Sequence, residues 1–141
     1  MEKISENIIG KLIEINLDRR DNYQAASTYV DAKDKKKFLI ELANESEGFV
    51  MELTYFLKLY GGSTQSLFAQ HSEHHQKDYE FSRSDQAVFL ILHQQEIKRI
   101  EHYNHLLIEA IDLDNTLFDK IRSQKTALIE SEEKLAEVMN D

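Results

Sequence analysis

The fourth predicted helix carries two side chains whose types and spacing could do chemistry, His93 and Glu96. They are three residues apart, which places them on one face of a helix. The rest of that face is apolar, since Phe89, Ile100 and Leu107 recur at the same helical spacing. A carboxylate in such a stripe must be paired, protonated or bound to a metal ion, because burying it bare costs several kcal/mol. The pair therefore indicates either a metal site or a buried polar network.

The metal hypothesis places a two-metal centre in the core of a helical bundle. Such centres take carboxylates from two helices and Glu-x-x-His pairs from two others. The side chains at a matching level, which would bind iron or manganese, are Asp18, Glu45, His93 and Glu96. Further candidates at this level are Asp21, Gln124 and Glu130.

The ligand set for that centre is incomplete, because no glutamate in the chain has a histidine three residues later. The reversed order of His93 and Glu96 need not aim both groups at one ion. The structural alternative is a buried network in which Glu96 bonds to Tyr103, Arg19 or another helix. In a third alternative the register is slightly rotated, and His93 or Glu96 reaches solvent.

A second group of metal-binding side chains lies in the third predicted helix and consists of His71, His74 and His75. His71 and His75 are four residues apart, and on a helix this spacing can chelate zinc or nickel. Helical histidines at this spacing also occur on wet faces without any metal. We therefore predict a surface cluster that is either a zinc site or simply solvated.

The sequence offers little support for other enzyme classes. Cysteine is absent, which excludes a thiol nucleophile. Gly61 and Gly62 follow a predicted helix instead of opening one, so they do not form a phosphate-binding loop. No serine lies in a nucleophile-elbow context. These observations favour a role without catalysis.

Long helices must position all of these side chains. The chain has no proline and four glycines, and a proline inside a helix would cost roughly 3 kcal/mol. Hydrophobic periodicity predicts helices over residues 5–30, 34–60, 66–79 and 85–111, and a fifth that begins near residue 114 or 116. Asp34 is the expected N-cap of the second helix, and Gly61 with Gly62 is expected to end it.

These lengths predict an all-α, antiparallel four-helix bundle. The short third helix would lie in the connection between the second and fourth helices. A chain of 141 residues fits one domain, and it shows no internal repeat or low-complexity stretch. We therefore expect residues 1–141 to form a single helical domain.

Several apolar residues lie off the main stripes of the predicted helices. They are Ile9, Ile13, Leu17, Leu90, Ile97 and Ile108. Apolar surface on a second side of a helix predicts self-association. We expect a homo-oligomer, with a dimer favoured, although the short third helix could cover the same surface.

The net charge of −9 argues against a nucleic-acid partner, because the phosphate backbone selects for basic surface. No segment approaches the roughly 20 apolar residues that a membrane span needs. The N-terminal residues do not resemble a signal peptide, and the absence of cysteine suits a reducing compartment. A cytoplasmic protein without membrane partners is therefore expected.

The order of these features resembles a family of small bacterial ferritin-like proteins of unknown function. The resemblance covers most of residues 8–110, and it is carried by Leu12-Ile13-Glu14, Asp18, Asp21, Tyr23, Ala26, Ala43, Glu52-Leu53, Gly61-Gly62, His71, Ala87, Glu96 and Tyr103. It implies a ferritin-like bundle with no agreed activity, in a group where some relatives bind iron or manganese and others have lost their ligands. The chain departs from the family pattern at His74, where a tryptophan is common, and at Ile91 and His93, which replace acidic residues.

Three functional hypotheses remain. The first is a binding or assembly protein without established catalysis, connected with bacterial stress physiology by analogy alone. The second is an iron- or manganese-dependent oxidoreductase or metal-handling protein that uses the four core residues. The third is a structural helical protein that acts by homodimerisation.

Overall fold

The computed structural model describes residues 2–74, 81 and 84–140. Five helices account for nearly all of these residues: α1 (Glu2–Ser27), α2 (Lys33–Leu59), α3 (Gln65–His74), α4 (Asp85–Glu109) and α5 (Asn115–Met139). No strand occurs in the described ranges. The all-α prediction is confirmed, and residues 75–79 of the predicted third helix lie outside the described part of the chain.

The four long helices pack as two hairpins. α1 packs along α2, α4 packs along α5, and contacts between α1 and α4 and between α2 and α5 join the hairpins. α3 lies against α1, in the connection between α2 and α4. The antiparallel four-helix bundle with a short additional helix is therefore confirmed. Among the described helices, none is long and apolar enough to cross a membrane.

The two ends of α2 differ in how well the sequence predicted them. The helix begins one residue before Asp34, and its N-cap is Ala32, which makes no side-chain capping bond. The prediction of Asp34 as the N-cap is therefore wrong, although its charge in the first turn suits the helix dipole. At the other end Gly61 adopts a φ of 82°. The N–H groups of Gly61 and Gly62 bond back to carbonyls of the last turn at 3.0 and 2.9 Å, which confirms the glycine stop.

The apolar interior consists of two separate clusters of buried side chains. One cluster takes Ile8 to Leu17 of α1, Val50 to Leu57 of α2, the end of α4 and the start of α5. The other takes Tyr23 to Val30, Leu39 to Ala43, Val88 to Leu92 and Leu135. Polar residues occupy the level between them on all four long helices. The middle of the bundle is thus a polar layer with apolar packing on either side.

The assignment of Ile9, Ile13 and Leu17 to an outer face is wrong. These side chains are at most 2% exposed. α1 is covered by α2, by α4 and by α3, so it needs apolar residues on more than one side. Leu90 and Ile108, by contrast, are exposed, as the sequence predicted.

Candidate functional site

The polar layer is the candidate functional site, because it gathers ionisable side chains in the centre of the bundle. Its members come from each long helix, and the buried ones are Asn16, Arg19, Ser46, Glu96, Arg99, Gln124 and Ser131. Each is flanked along its helix by residues of the two apolar clusters. The helical periodicity that packs those clusters therefore also points these polar side chains inward.

Arg19 and Glu96 form the centre of the layer. The Arg19 Nε lies 3.1 Å from both carboxylate oxygens of Glu96, and Nη2 lies 3.0 Å from Oε2. Neither side chain is exposed to solvent. Two N–H groups on one edge of the planar guanidinium, Nε and Nη2, face the two carboxylate oxygens. This bidentate geometry is the strong one for an arginine–carboxylate pair.

The remaining donors of Arg19 reach the other two long helices. Nη1 donates to Ser46 Oγ at 2.9 Å, and Nη2 donates to Glu45 Oε1 at 2.9 Å, both on α2. Nη2 also lies 3.1 Å from Ser131 Oγ on α5. One side chain of α1 therefore bonds to α2, α4 and α5 at a single level.

Glu96 receives further donors besides Arg19. The Tyr23 hydroxyl donates to Oε2 at 2.7 Å, and Arg99 Nη1 donates to Oε1 at 3.1 Å. Both guanidinium groups also lie near the Tyr23 ring, with Arg19 at 5.3 Å and Arg99 at 5.6 Å from its centroid. The buried carboxylate is thus surrounded by positive charge and hydrogen-bond donors.

These contacts fix the protonation states in the layer. Burial alone would raise the pKa of Glu96, but Arg19 and Arg99 outweigh it, so the pKa is held below its usual value. Burial alone would lower the pKa of Arg19, but the attraction of Glu96 outweighs it and the pKa is raised. Burial raises the pKa of Tyr23 and of Tyr103. At neutral pH the pair is therefore fully ionised and both tyrosines are neutral donors.

A second branch of the layer runs through Tyr103. Asn16 Nδ2 donates to the Tyr103 hydroxyl at 2.8 Å, and that hydroxyl donates to Gln124 Oε1 at 2.9 Å. Ser46 Oγ donates to Asn16 Oδ1 at 3.3 Å and so connects this branch to Arg19. The layer is one continuous hydrogen-bonded network across the bundle.

The four residues predicted to form a core metal site are not brought together. Glu45 and Glu96 both bond to Arg19. Asp18 is 62% exposed at its side chain and lies 3.5 Å from Nδ1 of His71 on α3. His93 Nε2 lies 2.7 Å from Glu132 Oε1, on the α4–α5 side.

The donor set of the layer does not fit a metal ion as it is arranged. Arg19 already supplies a cation between the two carboxylates, Glu45 and Glu96, and a second cation there would be repelled. In the described ranges no group of three or more histidine, aspartate or glutamate side chains has a geometry that could hold a metal ion. The core metal site of Asp18, Glu45, His93 and Glu96 stays a prediction.

The histidine cluster of the third helix falls only partly within the described residues. His71 Nε2 lies 2.5 Å from Asp21 Oδ2, so this histidine connects α3 to α1. The side chain of His74 and the whole of His75 lie outside the described residues. The zinc site at His71, His74 and His75 likewise stays a prediction.

Sequence reasoning correctly included Arg19 among the partners of Glu96, but it did not single out Asn16, Arg99 or Ser131. Arg99 lies three residues after Glu96, so the two share a face of α4. Asn16 lies three residues before Arg19, so these two share a face of α1. A search for polar residues at helical spacing around Arg19 and Glu96 would have found Asn16 and Arg99.

The four long helices, with the short α3 in the connection between α2 and α4, form a four-helix bundle of the ferritin-like fold. The solved structure of a mutant of Dps1 from Mycobacterium smegmatis matches it with a TM-score of 0.81. The match covers 98% of this chain and 96% of that chain at 13% sequence identity, so it shows the fold. No protein-family model and no curated protein matches the chain.

Proposed function

We propose that this chain is a ferritin-like binding or assembly protein whose core is held by an ion pair in place of a metal centre. The observation that supports the proposal is the position of the Arg19 guanidinium, which bonds to Glu96 and Glu45 and to serines of α2 and α5. Arginine stays protonated at any physiological pH. A permanent cation therefore occupies the level at which a carboxylate-bound metal would lie.

Displacing Arg19 to admit a metal ion would be costly. The guanidinium would lose its carboxylate partners while still buried, and an unpaired buried charge costs several kcal/mol. The metal would also meet Arg99, which bonds to the same carboxylate. The charge of the layer thus favours a structural role for Glu96 over a ligand role.

The second candidate function is metal binding. His71 with Asp18 and Asp21 favours it at the α1–α3 junction, since both ring nitrogens face carboxylates. Zinc would suit these ligands together with His74 or His75. An iron or manganese site at Asp18, Glu45, His93 and Glu96, with oxidoreductase activity, would instead require the core layer to rearrange.

Metal analysis separates the two candidates. The protein would be produced without a histidine tag in medium supplemented with iron, manganese and zinc, dialysed, and assayed for all three metals. We expect less than one equivalent of each. One or two equivalents that survive dialysis would overturn the proposal. Their loss in Glu96→Gln with an unchanged helical signal would assign the metal to the core, and their loss in His71→Ala would assign it to the α1–α3 junction.

The assembly part of the proposal is a homo-oligomer in the cytoplasm of a bacterium, with a dimer as its unit. The apolar residues left exposed on α2 support it, among them Met51, Tyr55 and Leu59. Membership of the small ferritin-like family of unknown function would be consistent with such a role, and a link to stress physiology would rest on analogy of fold alone.

A further inference from the structure

One side of α2 is apolar although it points away from the core. Met51, Tyr55 and Leu59 follow each other at four-residue spacing and are 69%, 60% and 62% exposed. The buried residues of α2, such as Val50 and Leu53, lie on the opposite side of the helix. Scattered single apolar side chains are normal on a protein surface, but a continuous stripe marks an interaction site.

Gly48 extends the same stripe by one step toward the N-terminus of α2. A glycine inside a helix is unfavourable relative to alanine. Apart from its two chain neighbours and the nearby backbone of α2 itself, no described atom lies within 4 Å of the Cβ that alanine would place there. Nothing in the described part of the chain therefore needs a glycine at this point. Close approach by another molecule would need one, because the missing side chain leaves a depression in the helix surface.

The stripe is complementary to itself in an antiparallel arrangement. In a two-fold interface residue i contacts residue j of the second copy, and j contacts i. If α2 crosses its copy antiparallel near position 53, Met51 faces Tyr55 and Gly48 faces Leu59. The bulky Leu59 then lies over the depression at Gly48, once on each side of the axis.

Two charged residues beside the stripe agree with the same register. Glu47 and Lys58 are also centred near position 53, so each would face the opposite charge of the second copy. The Glu47 side chain is 51% exposed and is held by Arg20 at 3.0 Å, which fixes its position. Opposite charges at both ends of an apolar stripe favour one orientation over the parallel one, in which like charges would meet.

A groove runs beside the stripe toward α3. Its volume is about 470 Å³, and it is lined by Leu17, Val50 and Phe68 together with residues of the stripe. Phe68 is itself 38% exposed. An aromatic side chain of a second copy would find apolar walls there.

We propose that the outer stripe of α2, formed by Gly48, Met51, Tyr55 and Leu59, pairs antiparallel with the same stripe of a second copy of this chain. The proposal rests on the assembly part of the proposed function and gives it a surface and a register. Large side chains fill the depressions left by glycine, and the flanking charges select the antiparallel orientation.

The first test is the variant Gly48→Leu, followed by sedimentation or light scattering over a range of concentrations. The space at Gly48 is open, so the helical signal should be unchanged. The dissociation constant of the dimer should rise roughly tenfold or more, because the new side chain would occupy the space of Leu59 of the second copy within the interface. The matched control is Ile108→Ser, which changes another exposed apolar residue and should leave the dimer unaffected.

The second test is cross-linking, which reads the register directly because the chain has no cysteine of its own. Chains carrying Met51→Cys are mixed with chains of different mass carrying Tyr55→Cys and then oxidised. We expect disulfides between unlike chains in preference to like ones. A dimer that is unaffected by Gly48→Leu, or that cross-links equally between like chains, would contradict the antiparallel pairing of the stripes. The proposal that the chain forms a homo-oligomer would not be affected. A chain that stays monomeric at every concentration would contradict both the pairing and the homo-oligomer. The stripe would then be a binding surface for a different protein.

Discussion

Arg19 on α1 and Glu96 on α4 form a bidentate ion pair in which neither side chain reaches solvent. The pair lies between the two apolar clusters and bonds to residues of all four long helices. Replacing a buried ion pair by apolar residues is often neutral or stabilising, whereas removing one partner is strongly destabilising. The pair is therefore better understood as fixing the relative level of the four helices than as a source of net stability.

We expect Arg19→Met to lower the free energy of unfolding by about 3–5 kcal/mol, because Glu96 would lose its principal counter-charge while remaining buried. Denaturant titration followed by circular dichroism measures the change. The double variant Arg19→Met/Glu96→Leu removes both charges and should recover at least half of the loss.

The two ion pairs of Arg20 supply the control for this experiment, because the Arg20 side chain is 24% exposed whereas that of Arg19 is fully buried. Arg20 bonds to Asp21 at 2.9 Å and to Glu47 at 3.0 Å, near solvent. Arg20→Met should cost about 1 kcal/mol, because solvent reaches Arg20 and both of its carboxylate partners in part. Equal losses in Arg19→Met and Arg20→Met would show that the buried pair is no more important than a surface one.

Glu96 should also make the stability depend on acid pH. Its pKa is lowered in the folded protein, mainly because Arg19 and Arg99 outweigh the effect of burial. Its contribution is therefore fully present above the usual carboxyl pKa of about 4.3 and is lost as the pH falls through the lower, folded value. The difference in unfolding free energy between the parent and Glu96→Gln should shrink between pH 6 and pH 2.5.

Unfolding at each pH by denaturant gives this difference. Glu41→Gln is the control, since Glu41 is on α2 like Glu45 but is exposed to solvent. Its difference from the parent should change much less over the same range. A pH-independent difference for Glu96→Gln would mean that Glu96 does not carry its charge in the folded protein.

The helices were predictable because local features specify them. The absence of proline, the recurring apolar residues and the glycine pair after Tyr60 indicate long helices and one sharp stop. The inward orientation of Glu96 was also predictable, since Phe89, Tyr103 and Glu96 share a face and are all buried. Spacing along one helix is sufficient for such inferences.

The partners across the bundle were not predictable to the same extent. Arg19 and Glu96 are 77 residues apart in the chain, and their contact depends on how far α4 is shifted along α1. Periodicity does not determine that shift. It also suggested that Ile13 was on an outer face, because a helix covered on several sides is apolar around most of its circumference.

Two glycines should respond oppositely to alanine. A Cβ at Gly10 would meet Leu67 Cδ1 at 3.8 Å, an ordinary van der Waals contact, and alanine favours the helix. Gly10→Ala should therefore raise the unfolding free energy by about 1 kcal/mol. Gly61 has a φ of 82°, so Gly61→Ala should lower the unfolding free energy by about 1–2 kcal/mol. Thermal and denaturant unfolding measure the unfolding free energy of both variants. Changes of the same sign would contradict the explanation from backbone conformation.

His71 should determine how firmly α3 is held to the bundle. Among the described helices α3 packs against α1, and His71 of α3 bonds to Asp21 of α1. A hydrogen bond to a charged group contributes about 1.5–3 kcal/mol. His71→Ala should therefore accelerate amide hydrogen exchange in α3 by roughly tenfold or more, because a tenfold change corresponds to about 1.4 kcal/mol of local opening free energy. α1 carries the partner Asp21, but it is held chiefly by its packing on α2 and α4, so exchange in the long helices should change little. His102→Ala is the matched control, since His102 is exposed on α4.

Unchanged exchange in α3 would show that apolar packing, such as that of Leu67 on Gly10, holds the helix without the histidine. Faster exchange throughout the bundle would instead mean that α3 and the four long helices open as one unit.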